Sequence, residues 1–425
     1  MKIMLNAETI ANLKNNEKFA KAVGELYTDA NGLEYQLKRY ADIYSVHAAK
    51  YSSDVLFFSS PGRIELCGNH TDHNNGKVLC ASISVDTVAC VTPTVDGTII
   101  VESYGYPPIK VDLNSLEIDK SLYGKSEALV KGVARYFKDN GMKVGGFTAT
   151  TSSDVFKGAG VSSSACFEVL IAEILNILYN GSKLDAITKA KASHYAESVF
   201  FGKPCGLLDQ SAIALGGVSY IDFKNTKMPK VESIDWNFDD MDIVLTNTGG
   251  DHANLTDHYA AIRREMEEVA VILGHKTLRK VSEEKFYASI PALSEKVSGR
   301  AILRAMHFFN ENKRVVKAAQ AIRKASGKKF TECINGSGDS SYMMLQNCYP
   351  AEDVKERIPL GIALSKGCEG VKAVRVHGGG FAGTILAFVA KDKTKAYTDM
   401  MKKVFKDENV FVIGIRNHGA CLVDI

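Results

Sequence analysis

The chain has 425 residues, 45% of them hydrophobic and 24% charged, with a formal net charge of +3. That length argues against a single core and for two packed domains with a cleft between them, and the balanced charge argues against nucleic acid or an anionic membrane as a partner. Residues 1–16 lack the cationic start and apolar run of a signal peptide, and no stretch reaches membrane-span length. Nine cysteines without a Cys-x-x-Cys spacing fit reduced thiols in the cytoplasm.

Apolar positions at helical spacing (Leu26, Leu33, Leu37, Tyr40, Ile43, Tyr44), broken by the turn Asp29-Ala30-Asn31-Gly32, predict a helical arm over residues 7–50. A short apolar strand at 55–59 leads into a polar loop at 61–76, followed by a Val-, Ile-, Ala- and Thr-rich sheet segment at 77–94. Further strands are expected near 98–103 and 146–151. From Ser162 to Tyr179, Phe167, Leu170, Ile171, Ile174, Leu175 and Leu178 recur at helical spacing with Val169 and Ile177 behind them, the pattern of a buried helix. Ser182 and Asp185 start the next helix, which ends near Phe201-Gly202. Strands at 217–223 and 242–246, an amphipathic helix at 255–273 and several helices across 282–348 come next. Strands at 373–377, 384–390 and 410–415, with a Lys-rich helix at 394–405, close an α+β second domain.

Three constellations carry chemistry. The segment from Pro61 to Gly76 gathers Arg63, His70, Asp72 and His73 among Asn and Gly residues. A cation, an acceptor-only carboxylate and imidazoles supply both kinds of hydrogen-bond partner for a small polyol. A solvated loop is the plainer reading; a zinc site at His70, Asp72 and His73 is another, although no His-Glu-x-x-His pattern completes it.

The second is Gly158-Ala159-Gly160-Val161-Ser162-Ser163-Ser164-Ala165, which opens the long buried helix. Its glycines let backbone N–H groups approach an anion, and the helix start adds partial positive charge, which together suit phosphate. Its three hydroxyls offer ligands to magnesium. No Lys-Ser or Lys-Thr follows the last glycine, so it is not a Walker A loop, and serines that merely cap a helix are the alternative. The third combines Glu197, near a helix end, with Asp209 on a turn between glycines. A carboxylate in that apolar setting can take a proton from a hydroxyl, and a neighbouring Arg would keep it ionised. Late in the chain, His377 to Gly383 reads as a glycine hinge between strands.

In this order, the polar loop, the Gly/Ser loop, Glu197, Gly202-Lys203-Pro204-Cys205-Gly206-Leu207-Leu208-Asp209 and Gly378-Gly379-Gly380-Phe381-Ala382-Gly383 resemble the galactokinase branch of the GHMP small-molecule kinases over about 320 residues. The resemblance implies a two-domain α+β GHMP kinase fold. A mixed-sheet N-terminal domain (1–228) would carry the Gly/Ser phosphate loop, and a ferredoxin-like α+β C-terminal domain would span 229–425. It also implies ATP-dependent, Mg2+-assisted phosphorylation of the anomeric hydroxyl of a sugar, galactose first, by a monomer or weak homodimer.

Carried over by position, Asp209 matches the base and Arg63 the residue that holds it, while Ser164 and Glu197 match magnesium ligands. Residues 158–165 match the ATP loop, and Asn69, His70, Asp72, Gly206 and Tyr259 match sugar contacts. The chain departs from the usual Gly-Arg-Val-Asn-Leu-Ile-Gly-Glu-His-Thr-Asp-Tyr-Asn at Glu65, Asn69 and His73. The change at Asn69 falls on the expected contact to the sugar's C6 hydroxyl, so a galacturonate, N-acetylgalactosamine or arabinose kinase is an alternative. A sugar and ATP sensor without turnover is another. The segment Asn335-Gly336-Ser337-Gly338-Asp339-Ser340-Ser341-Tyr342 also departs from the family and reads as a mobile surface loop.

Overall fold

The computed structural model describes residues 16–27, 32–155, 160–203, 205–249, 255–350, 354–355 and 357–423. Most of the turn expected at 29–32 lies outside them. The strands are β1 (Leu56–Cys67), β2 (Lys77–Thr94), β3 (Thr98–Ser103), β4 (Ile109–Asp112), β5 (Gly146–Ser153), β6 (Val218–Asp222), β7 (Lys230–Ile234), β8 (Met241–Asn247), β9 (Val371–Val376), β10 (Thr384–Ala390), β11 (Val410–Ile413) and β12 (Cys421–Leu422). The helices are α1 (Glu17–Gly24), α2 (Leu33–Lys50), α3 (Ser126–Asp139), α4 (Ser163–Tyr179), α5 (Ala186–Tyr195), α6 (Leu208–Leu215), α7 (Thr256–Ile272), α8 (Glu283–Ala288), α9 (Ile290–Ser294), α10 (Gly299–Arg323), α11 (Gly327–Ser340), α12 (Arg357–Lys366) and α13 (Thr394–Phe405).

Eight strands form a mixed sheet in the order β12-β1-β2-β5-β3-β4, with β6 on β2 and β7 on β6. The long β2 makes this possible: β1 takes one edge, while β5 and β6 pair with successive stretches of the other. Strands β8 to β11 form a second, antiparallel sheet in the order β11-β8-β10-β9. β7 and β12 lie beyond residue 228 yet pair into the first sheet, so the chain crosses the expected boundary twice.

Helix α4 explains its own sequence. Val169 and Cys166 join one apolar cluster while Leu170, Ile171, Ile174 and Leu175 join another, so the helix is apolar almost all round because it is packed on both sides. The arm of α1 and α2 packs back on the first sheet through aromatic rings, with Phe19 at 5.4 Å from Tyr40 and 5.6 Å from Phe57.

Two expectations fail here, both for the same reason. The polar loop expected from Pro61 begins as strand: β1 runs to Cys67 with every residue buried. Register shifts against β2 between Pro61 and Arg63 and between Glu65 and Cys67 re-aim its side chains, and its buried charges are paired, Arg63 with Asp209 and Glu65 with Arg375. The surface loop expected at 335–342 is the end of α11 followed by a π turn over Ser341–Leu345, with Ser337, Gly338, Ser340 and Ser341 buried. In both segments polar residues sit inside because their partners come from distant parts of the chain. α3, β4 and β7 were not anticipated. Among the described residues no helix is long and apolar enough to cross a membrane, and all nine cysteines are free.

Candidate active site

Asp209 stands in the first turn of α6 rather than on a turn between glycines. Arg63, from the bulged part of β1, grips it with a two-pronged fork: Nε donates to Oδ1 at 2.7 Å and Nη2 to Oδ2 at 2.8 Å. The third arm of the guanidinium donates to the Gly160 carbonyl, and the Ser162 hydroxyl donates to Asp209 Oδ2. The Arg63 side chain is 6% exposed and that of Asp209 35%, so the carboxylate opens outward while the cation is walled in. Burial by itself would raise the Asp209 carboxyl, but the Arg63 charge and hydrogen bonds, with the Ser162 hydroxyl, outweigh it and hold the group at about 2.

Ser162 sits at the N-terminal cap of α4 with φ of 63°, the left-handed region, and makes no side-chain cap hydrogen bond. Its hydroxyl is turned to Asp209 instead, which leaves the 17-residue helix without a side-chain cap and its first N–H groups facing the Gly/Ser loop. Ser162 thus occupies the cap position without capping the helix through its hydroxyl. Gly158 and Ala159 lie outside the described residues; Gly160, Val161, Ser163 and Ala165 line up with Ser162 and Ser164 at the helix start.

Two residues on, Ser164 Oγ donates to Glu197 Oε1 at 2.9 Å. Glu197 belongs to a π turn at 196–200 that ends α5, an irregularity common at functional sites. Lys203 Nζ meets the same oxygen at 2.8 Å and Gln210 Nε2 donates to Oε2 at 2.8 Å and to Glu168 Oε2 at 3.3 Å. A hydroxyl and a carboxylate oxygen in contact are hard oxygen donors of the kind magnesium takes, and the second buried carboxylate, Glu168, has an oxygen with no hydrogen-bond partner. Burial, then the Glu197 charge, push Glu168 well above the usual carboxylate range. Lys203, Gln210 and Glu168 were not singled out as site residues by the sequence reading; Lys203 lies in the quoted segment 202–209 and Gln210 follows Asp209 directly, and those positions were the signals available.

The residues of the polar loop divide into front and back. Asp72 comes within 3.4 Å of the Leu208 N–H through Oδ2, and a Cβ on Gly206 would sit 1.7 Å from that oxygen, so only glycine leaves room for it. His70 is partly exposed, and its Nε2 lies 3.0 Å from the Gly379 carbonyl, a pure acceptor, so that nitrogen carries the proton and is not a metal ligand in this arrangement. Burial, then His73 stacked at 5.5 Å, lower His70 to about 4. Tyr259 donates to the Gly380 carbonyl at 2.9 Å. Asn69, expected as the C6 contact, is 0% exposed and has every hydrogen-bonding position of its amide taken by protein groups. It is wall, not pocket lining.

The galactokinase galactose-binding signature matches residues 45–93, and the GHMP kinases N terminal domain matches residues 128–217. Galactokinase of Clostridium tetani is 30% identical over 366 residues, covering 84% of this chain and 89% of the relative, and that of Pyrococcus furiosus is 30% identical over 356 residues, covering 81% and 92%. The chain belongs to the galactokinase family. A crystal structure of Lactococcus lactis galactokinase complexed with galactose superposes with a TM-score of 0.78 at 25% identity, covering 91% of this chain and all of that one. The mevalonate kinase of Methanococcus jannaschii, at 14% identity and a TM-score of 0.61, shares the fold. Within this family of sugar kinases, the departures at 65 and 69 form one unit, since the Glu65 carboxylate accepts from the Asn69 amide at 3.3 Å and takes Arg375 at 2.6 Å.

Proposed function

We propose that this galactokinase-family chain transfers the γ-phosphoryl group of ATP to the anomeric C1 hydroxyl of galactose, giving galactose 1-phosphate and ADP. One observation carries the reading: Asp209 is held ionised by the Arg63 fork, yet opens beside both the Gly/Ser helix start and Asp72. Asp209 accepts the hydroxyl proton. A carboxylate at about 2 is a weak base, so the proton moves late, as the oxygen bonds to phosphorus. A loose phosphoryl transition state requires placement and charge stabilisation more than a strong base, and Arg63 adds a fixed positive charge beside the reacting oxygen.

The exposed N–H groups of α4 and the residues 160–165 hold phosphate oxygens. Ser164 and Glu197 would hold Mg2+, which would supply positive charge to offset that of the phosphates. Asp72 accepts hydrogen bonds from ring hydroxyls, and Gly206 provides the space. Reduced thiols and a monomer or weak homodimer in the cytoplasm complete the reading.

The test is ADP release with magnesium and ATP against galactose, N-acetylgalactosamine, galacturonate, arabinose, glucose and a blank. Release is expected to be strongest with galactose. No release with any sugar, while galactose still binds in calorimetry, would make the chain a sensor instead.

A further inference from the structure

The residues behind the sugar loop remain unaccounted for by the chemistry, and they converge on Asn69. Its Nδ2 donates to the Gly378 carbonyl at 2.8 Å and to Glu65 Oε2 at 3.3 Å. A carbonyl can only accept, so the NH2 end must point that way and Oδ1 must face Ser341 Oγ at 3.2 Å and Asn347 Nδ2 at 2.9 Å. This in turn fixes Asn347, whose NH2 is shared between Asn69 Oδ1 and the Gly379 carbonyl at 3.1 Å.

Asn347 is wholly buried, and its backbone carbonyl accepts from Phe381 N at 2.5 Å. A single side-chain amide therefore ties the sugar loop to the glycine turn at 378–380, from which His70 and Tyr259 each take a carbonyl. The fit is close on the glycine side: a Cβ on Gly380 would lie 2.1 Å from the Asn347 carbonyl oxygen. The end of α11, which leads into the π turn at 341–345, is tied to Asn69 through α10, where His307 bridges Ser340 Oγ at 2.9 Å and the Asn69 carbonyl at 2.8 Å.

We infer that Asn347 and Ser341 are positioning residues for sugar recognition: they hold Asn69, and through it the backbone that presents His70 and Asp72, at a fixed distance from the glycine turn. Discrimination at the sugar therefore depends on a buried wall that touches no ligand. The inference rests on the proposed sugar-kinase reading.

Ser341→Ala, Asn347→Ala and Ser341→Thr would be compared with the unaltered chain for kcat and KM with galactose, KM for ATP, and melting temperature. Asn347→Ala deletes the shared NH2 and Ser341→Ala a single hydroxyl, each worth about a tenfold change. Both are expected to raise the galactose KM about tenfold. The ATP KM and saturated kcat are expected to stay within about twofold, and Ser341→Thr to restore the galactose KM.

Unchanged galactose KM in variants that melt normally would overturn the inference, as would equal rises in both KM values. Should Asn347→Ala fail to fold, Ser341→Ala with its threonine rescue decides the matter. Absence of sugar-dependent turnover in the unaltered chain would instead be the failure of the kinase reading, visible before any variant is made.

Discussion

Asp86 and Asp209 each meet arginine on a strand of the first sheet or close beside it, and only Asp209 is arranged for chemistry. Asp86 takes Arg39 Nη1 on Oδ1 at 2.6 Å, and on Oδ2 it takes the Tyr27 hydroxyl at 2.6 Å, the Ser59 hydroxyl and Arg416 Nη1 at 3.2 Å. It is 0% exposed. Asp209 takes one arginine and one serine and keeps an open face. Burial works to raise both carboxyls and neighbouring arginines to lower them, with a net lowering in each case, so charge state does not distinguish them. Access does. Asp86 uses its oxygens to fasten the N-terminal arm and the end of the chain to β1 and β2, whereas Asp209 leaves room for a hydroxyl.

The sharpest way to break this comparison is to neutralise each aspartate in turn. Asp209→Asn is expected to remove about 10²–10⁴-fold of turnover while galactose binding and melting temperature change little, since proton acceptance is lost with little change of shape. Asp86→Asn leaves two buried arginines short of their partner and is expected to cost about 3–5 kcal/mol of stability in urea unfolding, with sugar KM little changed in whatever remains folded. If Asp209→Asn unfolds while Asp86→Asn merely loses turnover, the roles assigned above are exchanged.

A smaller effect is expected from Arg63→Lys, which keeps the charge but not the fork. Turnover should fall by about 10–100-fold, because an ammonium cannot hold both Asp209 oxygens and the Gly160 carbonyl at once. Activity equal to that of the unaltered chain would mean that the charge alone matters. Next, Asp72→Asn should raise galactose KM about tenfold and leave ATP KM unchanged, as expected for loss of a charged hydrogen-bond acceptor at the sugar; a matching rise in ATP KM would place Asp72 elsewhere.

These predictions start from residues that were legible in the sequence, and the reason is local. The Gly/Ser loop opens a helix of unmistakable apolar spacing, Asp209 follows a glycine-bounded segment, and strands β2, β3 and β10 lie where Val- and Ile-rich runs put them. What escaped notice depended on contacts across hundreds of residues. Arg63 and Glu65 read as loop because their partners, Asp209 and Arg375, come from α6 and β9. Asn69 read as a ligand contact because nothing local says that Ser341, Asn347 and Gly378 saturate it. Polarity marks a residue that must have a partner; it does not say whether the partner is substrate or protein.

The mildest prediction concerns acid. His47 and His70 are lowered to about 4, chiefly by burial. Their folded values lie below the ordinary value near 6.5, so the stability they contribute is present above that pH and is lost as pH falls toward 4, at about 1 kcal/mol each by pH 5.5. Asp209 and Glu311, both held at about 2, add a second loss only between about pH 4 and pH 2. Melting temperature followed from pH 7.5 to 3 should fall in those two stages; a flat curve to pH 4.5 would mean that the histidines are not held neutral by the fold.

The most direct measurement is phosphorus NMR of the product formed from galactose and Mg-ATP by the unaltered chain and by Asp209→Asn, with galactose binding to both followed by calorimetry. A single sugar 1-phosphate signal from the unaltered chain, nearly absent for the variant although both bind galactose, is the predicted result. A phosphate at another hydroxyl, or equal product from the variant, would contradict the assignment of Asp209 and Arg63 to the anomeric oxygen.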